Sequence, residues 1–171
     1  MLKMNELTLT TERLWLRPTA VYDAEFIYAL MNTPKWLQYI GDRNIKTLKD
    51  AEKYILDNII PQRERLGYST YAVIKKADNS KMGTCGLYDR EGLEGIDIGF
   101  AFLPEYERRG YALEATRALI ETSAKKFKLD ALSGITAKDN VASQNLLKKL
   151  GFAFSKTIRL KETELLLFNI V

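Results

Sequence analysis

The chain has 171 residues, 46% of them hydrophobic and 28% charged, with a formal net charge of +4. That balance predicts one soluble globular domain over residues 1–171, and with no apolar run of membrane-spanning length and no leader-like segment after Met1 it reads as cytoplasmic and free of membranes. There is no histidine and one cysteine, Cys85, which excludes Ser-His-Asp and Cys-His catalysis, imidazole bases, His- or Cys-rich metal sites and intrachain disulfides.

In chain order, residues 14–17 read as a short strand bounded by Pro18. Residues 23–31 read as a helix, since Phe26, Ile27, Leu30 and Met31 recur at helical spacing, and Thr33-Pro34 ends it. Thr47-Leu48-Lys49-Asp50 has the form of a capping box opening a second helix through Tyr54, Ile55 and Ile59. Pro61 kinks that helix or divides it from a turn over 62–66. Strands over 70–74, 82–88 and 96–103 are separated by turns at 78–80 and 91–95, giving two meander hairpins. A long helix over 111–127, a strand over 132–137, a short helix over 141–150 and strands over 153–158 and 164–170 complete the chain. The sum is an α/β (α+β) domain with a mostly antiparallel sheet and one β–α–β crossover.

The crossover contains Glu107-Arg108-Arg109-Gly110-Tyr111-Ala112. It has neither the glycine spacing of a dinucleotide fingerprint nor the Gly-Lys-Ser/Thr of a P-loop. What it offers is a helix start with unpaired N–H groups, a glycine that allows close backbone approach, and two arginines, which suits an anion. A solvated basic turn accounts for the same residues. In the strand before it, Asp97, Gly99, Ala101 and Leu103 share one face and Ile96, Ile98, Phe100 and Phe102 the other. The small residues leave either a cleft beside Asp97 or a seat for a tightly packed helix.

The hexapeptide resembles the acyl-CoA pyrophosphate loop of the GNAT superfamily of N-acetyltransferases, written Gln/Arg-x-x-Gly-x-Gly/Ala, with Glu107 departing at the first position. "TTERLWLRP", "DAEFIYALMN", "MGTCGLYDR", "GYALEA" and "NVASQNLLKKLGF" resemble, in this chain order, the branch containing the ribosomal-protein N-terminal-amine acetyltransferases. The resemblance runs from Thr10 to Phe154. It implies a central sheet of about seven strands, splayed in the middle, with about four helices on its two faces. It also implies an acetyl-CoA-dependent N-acetyltransferase acting by direct attack in a ternary complex, with acetyl-CoA as cosubstrate and no metal.

Carried over by position, the amides of Arg108, Arg109, Gly110, Tyr111, Ala112 and Leu113 hold pyrophosphate, and Phe102 and Leu103 pair with pantetheine as an added strand. A backbone N–H near Phe102 polarises the thioester carbonyl and stabilises the oxyanion. Asn140 matches the asparagine that binds pantetheine, and it is equally an N-cap. Leu147 stands where many members have a tyrosine acid, so Ser143, directly or through water, is the branch substitute. Lys148 and Lys149 reach CoA phosphate or are solvated helix charges.

Asp97 is the candidate base that relays the proton of the attacking ammonium. Its rival role is an ion pair with Arg90 across the hairpin, which would lower its pKa. Trp36, Tyr39, Asp42 and Arg43, with Asp89 and Glu91, form a candidate acceptor rim, aromatic and acidic as an amine requires; a packed loop explains them as well. Cys85 reads as an inward strand residue with nothing to activate it.

The acceptor is a small-molecule or peptide amine, ribosomal protein included, and the chain a monomer or homodimer. A catalytically silent CoA-binding or sensing protein on the same fold is the alternative. A pI near 9.0 also raises a small RNA-binding domain, but the basic residues are spread along the chain, so no direct nucleic-acid binding is expected.

Overall fold

The computed structural model describes residues 7–170. Its elements follow the local chemistry. β1 (Leu9–Thr10) pairs with β2 (Leu14–Pro18), in which Leu14 and Leu16 are buried and Trp15 is exposed, the alternation of a strand with one face in the core. A 3₁₀ turn at Val21–Asp23 leads into α1 (Ala24–Met31), which buries Phe26, Ile27, Leu30 and Met31. The Asp23 carboxylate accepts from the Ala20 N–H at 2.8 Å and from both Arg17 nitrogens at 2.8 and 2.9 Å, and Lys81 approaches at 2.7 Å.

Thr33-Pro34 ends one helix and begins another. α2 (Pro34–Tyr39) is N-capped by Thr33, whose hydroxyl accepts the Trp36 N–H, and Pro34 fits the first turn because no donor is needed there. The expected capping box opens α3 (Leu48–Tyr54), with Asp50 N–H on Thr47 Oγ1 at 3.1 Å and Thr47 N–H on Asp50 Oδ2 at 2.9 Å. Pro61 does not end the helix. The chain widens into a π turn over Ile55–Ile59 and continues as α4 (Ile60–Leu66), closed by Gly67. Pro61 has no N–H to donate and crowds the preceding turn, and a wider turn ahead of it relieves both.

β3 (Thr70–Lys75), β4 (Lys81–Asp89) and β5 (Ile96–Phe102) form the two meander hairpins. α5 (Tyr111–Lys125) crosses over to β6 (Leu132–Thr136), and α6 (Val141–Lys149) leads to β7 (Ala153–Leu160) and β8 (Thr163–Ile170). The eight strands lie in the order β1-β2-β3-β4-β5-β6-β8-β7, and only β5 and β6 are parallel. β1 makes the sheet eight-stranded where about seven were expected; two residues are too short to show a period.

Two cores flank the sheet. On one face α5 brings Ala115 and Leu119 against Leu14, Val73, Cys85, Leu87 and Ile98. Further along that face Leu147 of α6 covers Gly134, where a Cβ would stand 2.7 Å from Leu147 Cδ2. On the opposite face α1, α3 and the π turn pack Ile27, Leu30, Ala51 and Ile55 around Ala101 and Leu103.

Candidate active site at the splay of the sheet

β5 carries two faces, as the alternation predicts. Ile96, Ile98, Phe100 and Phe102 join the α5 core, while Ala101 and Leu103 join the α1–α3 core. The register between β5 and β6 consists of one pair, Asp97 with Ser133, beyond which the strands part. The Leu103 N–H donates to the Met82 carbonyl at 2.9 Å, so residues 97, 99, 101 and 103 turn their backbone groups toward β4. By the same alternation, the N–H and C=O groups of Ile98, Phe100 and Phe102 point into the gap between β5 and β6. That gap is an open strand edge able to receive an extended, amide-bearing chain.

The small face of β5 is partly filled. Tyr88 lies over it, and a Cβ on Gly99 would stand 2.9 Å from Tyr88 Cε2. Gly99 is therefore needed for close packing of a tyrosine from the neighbouring strand, and that part of the face is not a cleft. The Tyr88 hydroxyl lies 3.2 Å from Thr70 Oγ1, and burial pushes its phenol above the ordinary value.

Beyond β5 the chain makes a 3₁₀ turn at Pro104–Tyr106 and reaches Arg108 and Gly110, both left-handed with φ of 60° and 79°. Gly110 is the N-cap of α5, and no side chain caps the helix. A left-handed residue followed by a right-handed one aims consecutive N–H groups at one point, the geometry of an anion-binding nest, here at the positive end of a fifteen-residue helix. A Cβ on Gly110 would meet only Arg13 Nη2, at 3.4 Å, so the glycine is dictated by its backbone angle and the space over it is open. Arg108 and Arg109 are exposed and, among the described residues, form no ion pair. The loop can therefore hold a pyrophosphate.

Two contacts missing from the sequence reading hold this loop. Glu107, at the departing position, does not put free negative charge beside the nest, because Lys35 of α2 is ion-paired to it. Arg13, just before β2, donates from Nε to Glu114 Oε2 at 2.7 Å and from Nη1 to the Arg109 carbonyl at 3.2 Å, and its guanidinium lies 4.3 Å from the Tyr111 ring centroid. Burial alone would raise the pKa of Glu114; hydrogen bonds from Thr11, the Arg13 N–H and the Arg13 side chain outweigh it and hold the carboxyl below its ordinary value. Arg13 lies within "TTERLWLRP", but nothing in its spacing marks it as a loop strap.

Asn140 is the N-cap of α6, its Oδ1 accepting the Ser143 N–H at 3.2 Å. Its side-chain amide has no protein partner among the described residues, so capping leaves that donor available. Ser143 is half-buried one turn into the helix, Lys148 and Lys149 are exposed, and Leu147 is buried in the core.

Asp97 is fully buried and bound by Arg90, whose Nε donates to both carboxylate oxygens at 2.8 and 3.0 Å. The ion pair exists, but not as a direct cross-strand pair: the hairpin register sets Tyr88 opposite Asp97, and Arg90 folds back from the loop over the Tyr88 ring. The expected lowering of the Asp97 pKa is not found. Burial raises it above the ordinary 3.8, and Arg90 offsets this only in part. Such a carboxyl is a better proton acceptor than an exposed one.

The acceptor-rim candidates are scattered in role. Trp36 packs on the α1–α3 core with its indole N–H buried and, among the described residues, unpartnered, and Tyr39 is half-buried at the end of α2. Asp42 is engaged locally, accepting from the Asn44 N–H at 2.7 Å and Lys46 Nζ at 3.1 Å; Arg43 is exposed; Asp89 is paired with Arg65 at 2.9 Å. Cys85 is buried, its thiol pushed up to about 12 by burial.

An open parallel strand pair running into an uncapped, left-handed helix start is the arrangement that the sequence resemblance implies. Residues 13–153 match the acetyltransferase (GNAT) domain, and the chain belongs to that family. It is 27% identical over 143 residues to the uncharacterized N-acetyltransferase YnaD of Bacillus subtilis, covering 84% of this chain and 81% of that one. Among solved structures it is similar to the ribosomal L7/L12 alpha-N-protein acetyltransferase RimL in complex with coenzyme A, with a TM-score of 0.82 at 17% identity over 95% of this chain and 96% of that one. It is also similar to the ribosomal-protein-S5-alanine acetyltransferase of Vibrio fischeri, with a TM-score of 0.79 at 16% identity over 96% of each chain. Among the described residues, no helix is long and apolar enough to cross a membrane and no group of three or more His, Cys, Asp or Glu could hold a metal ion.

Proposed function

We infer that this protein transfers the acetyl group of acetyl-CoA to a primary amine by direct attack within a ternary complex. The observation that carries the reading is the continuity of the β5 edge with the nest at Arg108–Gly110. The edge suits the amide-bearing arm of CoA and the nest its pyrophosphate; that the similar RimL structure is a complex with coenzyme A supports a CoA site on this fold. Arg13 and Lys35 hold the nest from two sides, so the site is formed before ligand arrives.

The chemistry asked of the protein is modest. A thioester is already activated, so the chain must align an amine lone pair with the carbonyl carbon, stabilise charge on the carbonyl oxygen and take up a proton. Backbone N–H groups of Phe100 and Phe102 face the gap and can donate to that oxygen. The C–N bond forms as the C–S bond breaks, and the amine proton passes through water to Asp97. Its burial equips it as an acceptor, while Arg90 fixes its orientation. α6 follows β6 in the chain, and Ser143 at its start is the candidate that, directly or through water, passes a proton to the departing sulfur, its own proton being replaced from water, while Asn140 keeps a free amide for the pantetheine arm. The core position of Leu147 leaves no tyrosine for that task.

The test is acetyl-CoA turnover against a panel of peptides, polyamines, amino acids and aminoglycosides. Release of coenzyme A thiol that depends on the amine is expected. Tight acetyl-CoA binding without transfer to any amine would replace this reading with that of a silent CoA-binding protein.

A further inference from the structure

The sheet face that carries Asp97 continues across the splay. Asp97 pairs with Ser133, and the β6–β8 ladder pairs Ser133 with Asn169 and Ile135 with Leu167, so these side chains share one face. Over the first half of the sheet that face is covered by α1 and α3. Over β6 and β8 it opens as a groove of ≈ 430 Å³, floored by Ser133, Leu167 and Asn169. That volume falls within the range of about 300–1,000 Å³ typical of small-ligand sites.

Three observations mark the groove as built for a ligand. Ser133 is 7% exposed and its Oγ has no hydrogen-bond partner among the described residues, although it lines the groove. A buried hydroxyl left unpaired costs free energy that a bound acceptor group would recover. Secondly, β7 is bulged here. The register shifts between Phe154, opposite Phe168, and Lys156, opposite Leu167, and the extra residue brings both Ser155 and Lys156 into the wall. Thirdly, Lys156 stands opposite Leu167 in the register and so shares the groove face, and Lys156 and Glu94 on the facing loop form no ion pair among the described residues. The loop meets the β7–β8 hairpin at Gly92, where a Cβ would stand 3.2 Å from Leu160 Cδ2, which closes one end of the groove.

We propose that this groove seats the non-reacting part of the acceptor and selects amines that carry a carboxylate. The proposal rests on the acetyltransferase reading and names its substrate class. An amine bound near Asp97 extends over Ser133 and Asn169, whose hydroxyl and amide suit peptide-like groups, toward Lys156. β7 lies two strand spacings, about 10 Å, from β6, a gap that the Lys156 side chain narrows by most of its own length. The carboxylate therefore sits about one residue beyond the amine-bearing carbon. Glu94 opposes this single cation, which favours one carboxylate over a polyphosphate.

The experiment compares kcat/KM for acetyl-CoA-dependent acetylation of matched acceptors: the peptides Ala-Glu-Ala and Ala-Gln-Ala, and free glutamate and glutamine. At least one carboxylate member should be favoured by about tenfold, the discrimination of a charge-assisted contact, and the favoured pair tells whether the source is a peptide or a free amino acid. The variant K156E should abolish or reverse the preference while leaving the Kd for acetyl-CoA unchanged. Equal rates within both pairs, or a preference that survives K156E, overturns the proposal. If other amines are acetylated and none of these four is, the proposal falls and the acetyltransferase reading stands; if no amine of the wider panel is acetylated, that reading fails and amide chemical shifts decide the groove. Shifts at Ser133 and Asn169 with Ala-Glu-Ala in the unmodified chain but not in K156E would support it, and their absence would overturn it.

Discussion

Asp97 lies opposite Ser133 in the single register pair that joins β5 to β6, so the two halves of the sheet meet at a buried carboxyl and a hydroxyl without a partner among the described residues. Above this vertex the strand edge opens toward the nest, and on the Asp97 face it adjoins the groove. A proton acceptor at the meeting point of the two is where amine attack on a bound thioester needs it. Asp97→Asn should therefore lower kcat by about 10²–10⁴-fold, the usual loss for a general base, with the Kd for acetyl-CoA unchanged. A purely structural Asp97 would move unfolding stability and leave kcat near that of the parent.

The sign of the pH effect at Asp97 follows from the raised pKa. In the folded chain Asp97 holds its proton to higher pH than in the unfolded chain, so its contribution to stability is largest below 3.8 and declines as pH rises through the folded value. Activity should run the opposite way, falling as pH drops and the base is protonated. Asp97→Asn should remove that acidic limb from the kcat profile.

Asp23 behaves in the opposite sense. Burial opposes its ionisation, but hydrogen bonds from Arg17, the Ala20 N–H and Lys81 outweigh it and hold the pKa below 3.8. Its stabilisation is complete above 3.8 and is lost as pH falls through the folded value. Asp23→Ala leaves Arg17 and Lys81 without their carboxylate and should cost about 3–5 kcal/mol in urea unfolding at pH 7, the range for breaking a buried pair.

Arg13 tests whether the nest is held in advance. Arg13→Ala removes the donor to the Arg109 carbonyl, the partner of Glu114 and the cation over the Tyr111 ring. Because the ion pair is partly exposed, stability should fall by no more than about 1 kcal/mol. The Kd for acetyl-CoA should rise several-fold, and Arg13→Lys should restore little of it because one ammonium cannot reproduce both contacts.

Cys85 should be inert in the folded chain. A thiol buried in the core and pushed up to about 12 offers almost no thiolate at pH 8. A thiol reagent should label it only at the rate of unfolding, and labelling within seconds under native conditions would contradict the packing.

What the sequence displayed and what it hid follow from the range of the interactions. Period-two alternation in residues 96–103 and the Thr47–Asp50 box are local, and both were legible. α2 was hidden because Thr33-Pro34 has the residues of a helix end and a helix start alike. Glu107 departs from the anion motif, and the Lys35 that pairs with it is 72 positions away, beyond the reach of any local pattern. The Arg90–Asp97 pair was foreseen, but the outcome for the Asp97 pKa depends on how much protein covers the pair, which no spacing reveals. Ser133 and the bulge at Ser155 depend on register across β6, β8 and β7, and no local pattern in the sequence announces them.

The central claim, that the β5 edge and the nest form an acetyl-CoA site, is tested most directly by calorimetric titration with acetyl-CoA. The unmodified chain should bind one equivalent saturably. Gly110→Ala, which forces a side chain into a left-handed backbone at about 1–2 kcal/mol, should weaken binding about tenfold. Arg109→Glu with Gly110→Asp should abolish it. No heat of binding at millimolar acetyl-CoA, or a Kd indifferent to all three substitutions, would contradict the account.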